Sequence, residues 1–139
     1  MKPTLISGNC HQDQRGKLFY NNNFDASSIK RLYVIENLSV DFVRAWQGHK
    51  IEQRWFTAIQ GSFKIQLIEI DNWEKPSQAN PRFDFVLDSA ILDILHIPAG
   101  FVSSIQAIKE NSKLVVMSDY RLGEIIDEFR YPTNYFIKE

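Results

Sequence analysis

Short runs in which apolar and polar residues strictly alternate recur along most of this chain, and turn residues separate them. Ser62-Phe63-Lys64-Ile65-Gln66-Leu67 is the cleanest case. Phe63, Ile65 and Leu67 fall on one face and Lys64 and Gln66 on the other, the pattern of a half-buried strand. The same period predicts strands over 17–20, 30–36, 41–46, 54–60, 82–87, 92–97, 102–107 and 113–118. Gln60-Gly61-Ser62 reads as a tight hairpin turn, residues 76–81 as a loop between two prolines, and Pro98-Ala99-Gly100 as a further turn. Asn21-Asn22-Asn23 reads as a turn rather than a linker. Many short strands at even spacing predict an all-β sandwich or barrel. The exception is 121–129, where Leu122, Ile125, Ile126 and Phe129 repeat at helical spacing and predict one short helix.

The chain has 139 residues, enough for one domain over 1–139, and 44% of them are hydrophobic. Ten phenylalanines favour a β-rich core. The formal net charge is −1 with no basic block, which argues against nucleic acid as a partner. It leaves room for a small basic pocket that binds one phosphorylated molecule. With Cys10 as the single cysteine, no internal disulfide can form, which suits a reducing, cytoplasmic setting. No apolar run approaches the roughly 20 residues that span a bilayer, so no membrane partner is expected. Cys10 has no cationic neighbours in sequence and reads as a bystander. His11 reads as a turn residue.

The stretch richest in chemistry is Arg44-Ala45-Trp46-Gln47-Gly48-His49-Lys50-Ile51-Glu52-Gln53-Arg54. A histidine can move a proton near neutral pH, and an arginine can hold a phosphate or a developing oxyanion. Charged strand ends of this composition are ordinarily just solvated. Arg44 and His49 are also an odd number of positions apart and would face opposite sides of a regular strand. A shared site therefore requires a bulge or bend near Gly48, the residue that would permit one.

Several motifs in order resemble the cupin-fold dTDP-4-keto-6-deoxyglucose 3,4-ketoisomerases, the WxcM-like family. Asp13-Gln14-Arg15-Gly16-Lys17-Leu18 resembles their DxRGxL opening. Ile29 to Ile35 resembles IKRVYYI, and the 44–50 segment resembles RGxHxHK. Gln60-Gly61-Ser62 and Ser118-Asp119-Tyr120 resemble the later GS turn and S(D/E)Y. The related dTDP-4-dehydrorhamnose 3,5-epimerases are resembled at Ile68-Glu69-Ile70-Asp71 and Ile97-Pro98-Ala99-Gly100-Phe101. The epimerase motif puts its catalytic histidine where this chain has Gln47, whereas the ketoisomerase motif puts it at His49. An amide cannot act as a general base at neutral pH, so the resemblance favours the ketoisomerase. Ala45, Gln47 and Ser103 depart from the motifs, and no tyrosine stands near Val115-Val116-Met117 to serve as an epimerase acid.

The resemblance implies a cupin-like (jelly-roll) β-barrel of two antiparallel sheets. The implied enzyme is a cofactor-independent isomerase of a nucleotide-linked 4-keto-6-deoxy sugar, serving deoxysugar and polysaccharide biosynthesis. It also implies a homodimer, with N-terminal strands often exchanged. His49 would be the base acting through an enediolate, with Arg44 and Tyr33 steadying oxygens. Gln47, Lys50, Arg54 and Ser103 would contact substrate, Lys50 and Arg54 through the diphosphate, while His96, on the strand before Pro98, could either point into the cavity and touch substrate or face out toward a loop or dimer mate. Metal-binding cupins use HxH, a nearby Glu and a later His. Here those slots read Gln47, His49, Glu52 or Gln53, and Ser103, so no metal is expected. Trp46 and Trp55 could stack on a ring, although core or dimer packing is the commoner use. The alternatives are an epimerase-like enzyme with a relocated base and a barrel that binds nucleotide sugar without turning it over.

Overall fold

The computed structural model describes residues 1–137. Among these, twelve strands form: β1 (Thr4–Ile6), β2 (Asn9–Asp13), β3 (Gly16–Tyr20), β4 (Arg31–Ile35), β5 (Val43–His49), β6 (Arg54–Gln60), β7 (Ser62–Glu69), β8 (Arg82–Asp88), β9 (Ile94–Ile97), β10 (Phe101–Ala107), β11 (Lys113–Ser118) and β12 (Phe129–Arg130). One sheet has the order β1-β9-β6-β11-β4 and the other β12-β5-β10-β7-β8, while β2 and β3 form a separate hairpin. Every strand pair is antiparallel. Among the described residues, no helix is long and apolar enough to cross a membrane.

The alternation read from the sequence becomes the barrel core. Phe63, Ile65 and Leu67 of β7 are fully buried and meet Phe56, Leu95, Leu114 and Val116 of the opposite sheet. Burying a side chain of this size contributes roughly 2 kcal/mol, so the two facing rows supply most of the force that closes the barrel. Two smaller clusters cover the outer faces. Trp46, Ile68, Val102 and Phe136 pack outside the second sheet, and Trp55, Ile94 and Met117 outside the first. Both tryptophans thus serve packing.

One expectation fails here. The helix over 121–129 does not form; the segment is a series of turns leading into β12. Gly123 sits at φ +78°, outside the helical region, and interrupts the pattern. Phe129 and Arg130 pair instead with Gly48 and Gln47 of β5. The irregularity required near Gly48 does occur, although Gly48 itself pairs regularly with Val102 of β10. The register instead slips one step earlier. Ser103 faces Gln47 and Ile105 faces Arg44, so three steps on β5 oppose two on β10. The extra residue is at Ala45-Trp46, and both of those side chains line the outer face with Val43. That single insertion reverses the parity and turns Arg44, Gln47 and His49 to the same inner side. Gly48 is needed for a different reason: a Cβ there would lie 2.1 Å from the Phe101 carbonyl oxygen and 2.6 Å from the Val102 Cα.

Candidate active site

The inner face of the bulged β5 opens into a cavity at one end of the barrel. Tyr33 and Ile35 of β4, Arg44, Gln47 and His49 of β5, Arg54 and Phe56 of β6, and Phe101, Ser103 and Ile105 of β10 line it. Its floor is apolar and its rim polar. Toward the mouth, Tyr33, Gln47, His49, Glu52 and Arg54 also face the segment from Arg121 to Glu128.

His49 is held on its Nδ1 side. That nitrogen lies 2.8 Å from the main-chain oxygen of Asp127 and 3.5 Å from Glu52 Oε2. A carbonyl oxygen only accepts, so Nδ1 carries the hydrogen and Nε2 is the unprotonated nitrogen. Burial pushes the imidazole pKa down from its ordinary value, and the nearby Arg54 cation pushes the same way. The Asp127 carbonyl and the Glu52 and Asp127 carboxylates oppose this without reversing it. The ring is therefore neutral at neutral pH, with Nε2 ready to take a proton.

Asp127 is anchored from below. Its carboxylate accepts hydrogen bonds from the backbone N–H groups of Lys50 (2.9 Å), Ile51 (2.8 Å) and Glu52 (2.7 Å). The turn after β5 thus wraps the carboxylate, and the same residue's carbonyl fixes the ring at the end of β5. Glu52 Oε1 accepts from Arg54 (3.1 Å) and from the Ser118 hydroxyl (2.8 Å). Arg54 also donates to the Tyr33 hydroxyl oxygen at 3.0 Å, which leaves the phenolic hydrogen free for a ligand oxygen. Tyr33, Arg54, Glu52 and His49 form one continuous polar chain across the mouth. Arg44 donates from Nε to Asn37 Oδ1 at 3.2 Å, and the buried Asn37 is itself tied to the Ile105 carbonyl.

Of the residues named from sequence, Tyr33, Arg44, Gln47, His49, Arg54 and Ser103 converge on the cavity. Two do not. His96 projects from the opposite side of its sheet, stacked on Trp55 with centroids 5.0 Å apart and 2.6 Å from Gln53 Oε1. Its neighbours Leu95 and Ile97 face the core instead, as strand alternation requires. Lys50 is exposed and outside the cavity lining, and it serves through its backbone N–H. Arg54 is inside but buried against Glu52, an ion-pair partner rather than an open phosphate ligand. Gln47 spans the rim by a short hydrogen bond to Glu128. Sequence reasoning overlooked Asn37 and Asp127, and considered Glu52 only as a metal slot. Asp127 lies 78 positions from His49, and no local pattern could have paired them.

His49, Glu52 and Asp127 bring potential metal-ligand atoms within 4.8 Å of one another. The donor set does not fit a cation. Both Asp127 oxygens are filled by N–H donors, Glu52 Oε1 by Arg54 and Ser118, and the Arg54 guanidinium already supplies the positive charge.

The family described as "FdtA: WxcM-like, C-terminal" matches residues 1–135. No curated protein sequence matches the chain. A histidine-to-asparagine mutant of the 3,4-ketoisomerase QdtA from Thermoanaerobacterium thermosaccharolyticum, solved with TDP-4-keto-6-deoxyglucose, is similar in structure. Its TM-score is 0.72 at 22% identity, over 96% of this chain and 91% of that one. A 3,4-ketoisomerase from Helicobacter canadensis gives a TM-score of 0.67 at 21% identity, over 91% and 90%. The dTDP-4-dehydrorhamnose 3,5-epimerase of Bacillus anthracis, bound to TDP and PPi, gives 0.74 at 12% identity, over 95% and 79%. The fold is thus shared with both kinds of enzyme, a cupin-like barrel. On the family match over nearly its whole length, the chain belongs to the WxcM-like, C-terminal (FdtA) family.

Proposed function

We propose that this protein is a cofactor-independent nucleotide-sugar isomerase that interconverts the 4-keto and 3-keto forms of a dTDP-linked 6-deoxyhexose. The observation that carries the reading is His49, neutral and held by Asp127 with Nε2 unprotonated, in the same cavity as Tyr33 and Arg44. Nε2 takes the hydrogen of C3, next to the C4 ketone, and the bonding pair becomes the C3–C4 double bond of an enediolate. The Tyr33 hydroxyl and Arg44 stabilise the charge that develops on oxygen. The proton of the C3 hydroxyl passes to the C4 oxygen, and His49 returns its proton to C4. The C3 oxygen is left as the ketone, and no atom or electron is gained or lost. The family and the similar ketoisomerases support this chemistry.

The protein acts in the cytoplasm as a homodimer in this proposal. Leu32 and Val34 on β4, an edge strand, are more than half and half exposed, respectively, and offer apolar surface for a second copy.

The test is proton exchange in D2O with dTDP-4-keto-6-deoxyglucose, followed by NMR. Conversion to the 3-keto isomer with solvent deuterium, reduced at least a hundredfold in His49→Asn with nucleotide binding retained, supports the reading. Incorporation at both C3 and C5 points instead to an epimerase. Binding without exchange points to a barrel that has kept its pocket and lost its chemistry.

A further inference from the structure

Arg44 reaches the cavity with its charge uncompensated. Among the described residues, Glu52 is the only carboxylate lining that cavity, and Arg54 holds it at 3.1 Å. No carboxylate of the described residues lies within ion-pair distance of Arg44. A guanidinium on a long, flexible side chain still has to be aimed. The group that meets it is Asn37, which follows two residues beyond Ile35 of β4 and is only 8% exposed. Both ends of the amide are used. Oδ1 accepts from Arg44 Nε at 3.2 Å, and Nδ2 donates to the Ile105 carbonyl oxygen at 3.1 Å. Ile105 and Arg44 are register partners at the place where the β5–β10 ladder slips. Asn37 therefore ties the two strands together beside the bulge that turns Arg44 inward. The guanidinium also stands over the Phe42 ring, 5.7 Å from its centroid. An amide is the side chain this position needs. A carboxylate could accept from Arg44, but it would face the Ile105 carbonyl with no hydrogen to give and would cancel the guanidinium charge.

We infer that Asn37 is a positioning residue for the isomerisation: it directs Arg44 into the cavity and, being uncharged itself, leaves the whole positive charge of Arg44 for the oxygen on which negative charge develops. This rests on the isomerase reading above, in which Arg44 steadies that oxygen. Asn37 is not among the residues lining the cavity, so it acts through Arg44 and not by contact with the sugar.

The test combines kinetics on dTDP-4-keto-6-deoxyglucose with NMR of the Arg44 Nε–H, a signal identified by its loss in Arg44→Met. In the wild type that signal should be resolved at neutral pH. Asn37→Ala should broaden it into solvent exchange and lower kcat about tenfold, with KM within about threefold. Asn37→Asp keeps an acceptor for Nε–H, so the signal should persist while kcat falls at least as far as in Asn37→Ala. In an Arg44→Met background either substitution should change kcat less than about twofold, because the group that Asn37 serves is gone. Thermal melts check folding, and Asn37→Asp carries the kinetic test alone if Asn37→Ala melts below the assay temperature. Losses that multiply in the double variants overturn the assignment, since a merely structural residue would give them. An Nε–H signal indifferent to Asn37→Ala, or wild-type kcat in Asn37→Asp, overturns it too, even where His49-dependent exchange upholds the isomerase. An Asn37-dependent Nε–H signal in a wild type that turns over no dTDP-4-keto-6-deoxyglucose supports the positioning of Arg44 and overturns the isomerase reading.

Discussion

His49 and Asp127 are joined twice over. The Asp127 carbonyl oxygen lies 2.8 Å from His49 Nδ1, while the Asp127 carboxylate collects the three backbone N–H groups that immediately follow His49. One residue from the C-terminal segment therefore fixes both the tautomer of the ring and the turn that carries it.

Asp127→Ala should accordingly damage stability and chemistry together. It leaves three N–H groups of the turn after β5 without their acceptor, and losing hydrogen bonds to a charged group costs about 3 kcal/mol or more. Urea unfolding should show that loss as a lower midpoint. Residual exchange should fall well below that of Asp127→Asn, whose side-chain carbonyl keeps one acceptor. Equal effects from the two variants would mean that the carboxylate is not the anchor.

The pH dependence follows from the direction of the His49 shift. Burial and Arg54 hold its pKa below the ordinary 6.5. The base form then predominates at neutral pH, and kcat should fall on the acid side with an apparent pKa under 6.5. The linkage to folding has the same sign. Because the unfolded chain binds this proton more tightly, the His49 contribution to stability is intact above about 6.5 and declines as pH drops below it. A rate profile that breaks above 6.5 would contradict the geometry. In His49→Asn, the acid-side loss of stability should be smaller.

Gly48→Ala tests the strand contact that holds the site. A Cβ at this position meets the Phe101 carbonyl oxygen at 2.1 Å and the Val102 Cα at 2.6 Å, both backbone atoms that cannot rotate away. The strands β5 and β10 must part, at a cost of about 2 kcal/mol or more. Gln47 and His49 on either side move with them. The expected readout is a lower melting temperature together with weaker exchange. Ala45→Gly, on the outer face, should cost less in both.

Much of this protein was legible in the sequence because the signals are local. Strand period and turn residues recovered nine of the twelve strands, from Gly16–Tyr20 to Lys113–Ser118, since alternation follows directly from which face is buried. They missed Thr4–Ile6, Asn9–Asp13 and Phe129–Arg130, which are short or exposed and carry little alternation. The motif order identified the family and placed His49, Arg44, Tyr33, Gln47 and Ser103 in a common cavity. What the sequence left open depended on contacts between distant segments. A bulge at Ala45-Trp46 is visible only in the register against β10, and that register set which side chains face inward. The helical spacing of 121–129 yielded to Gly123 and to pairing with β5. Asp127 became the anchor of His49, and Glu128 the partner of Gln47, because the pairing of β12 with β5 brought a distant segment against the end of that strand. Residue type determines what a side chain can do, but only the tertiary arrangement decides which of its partners are already taken.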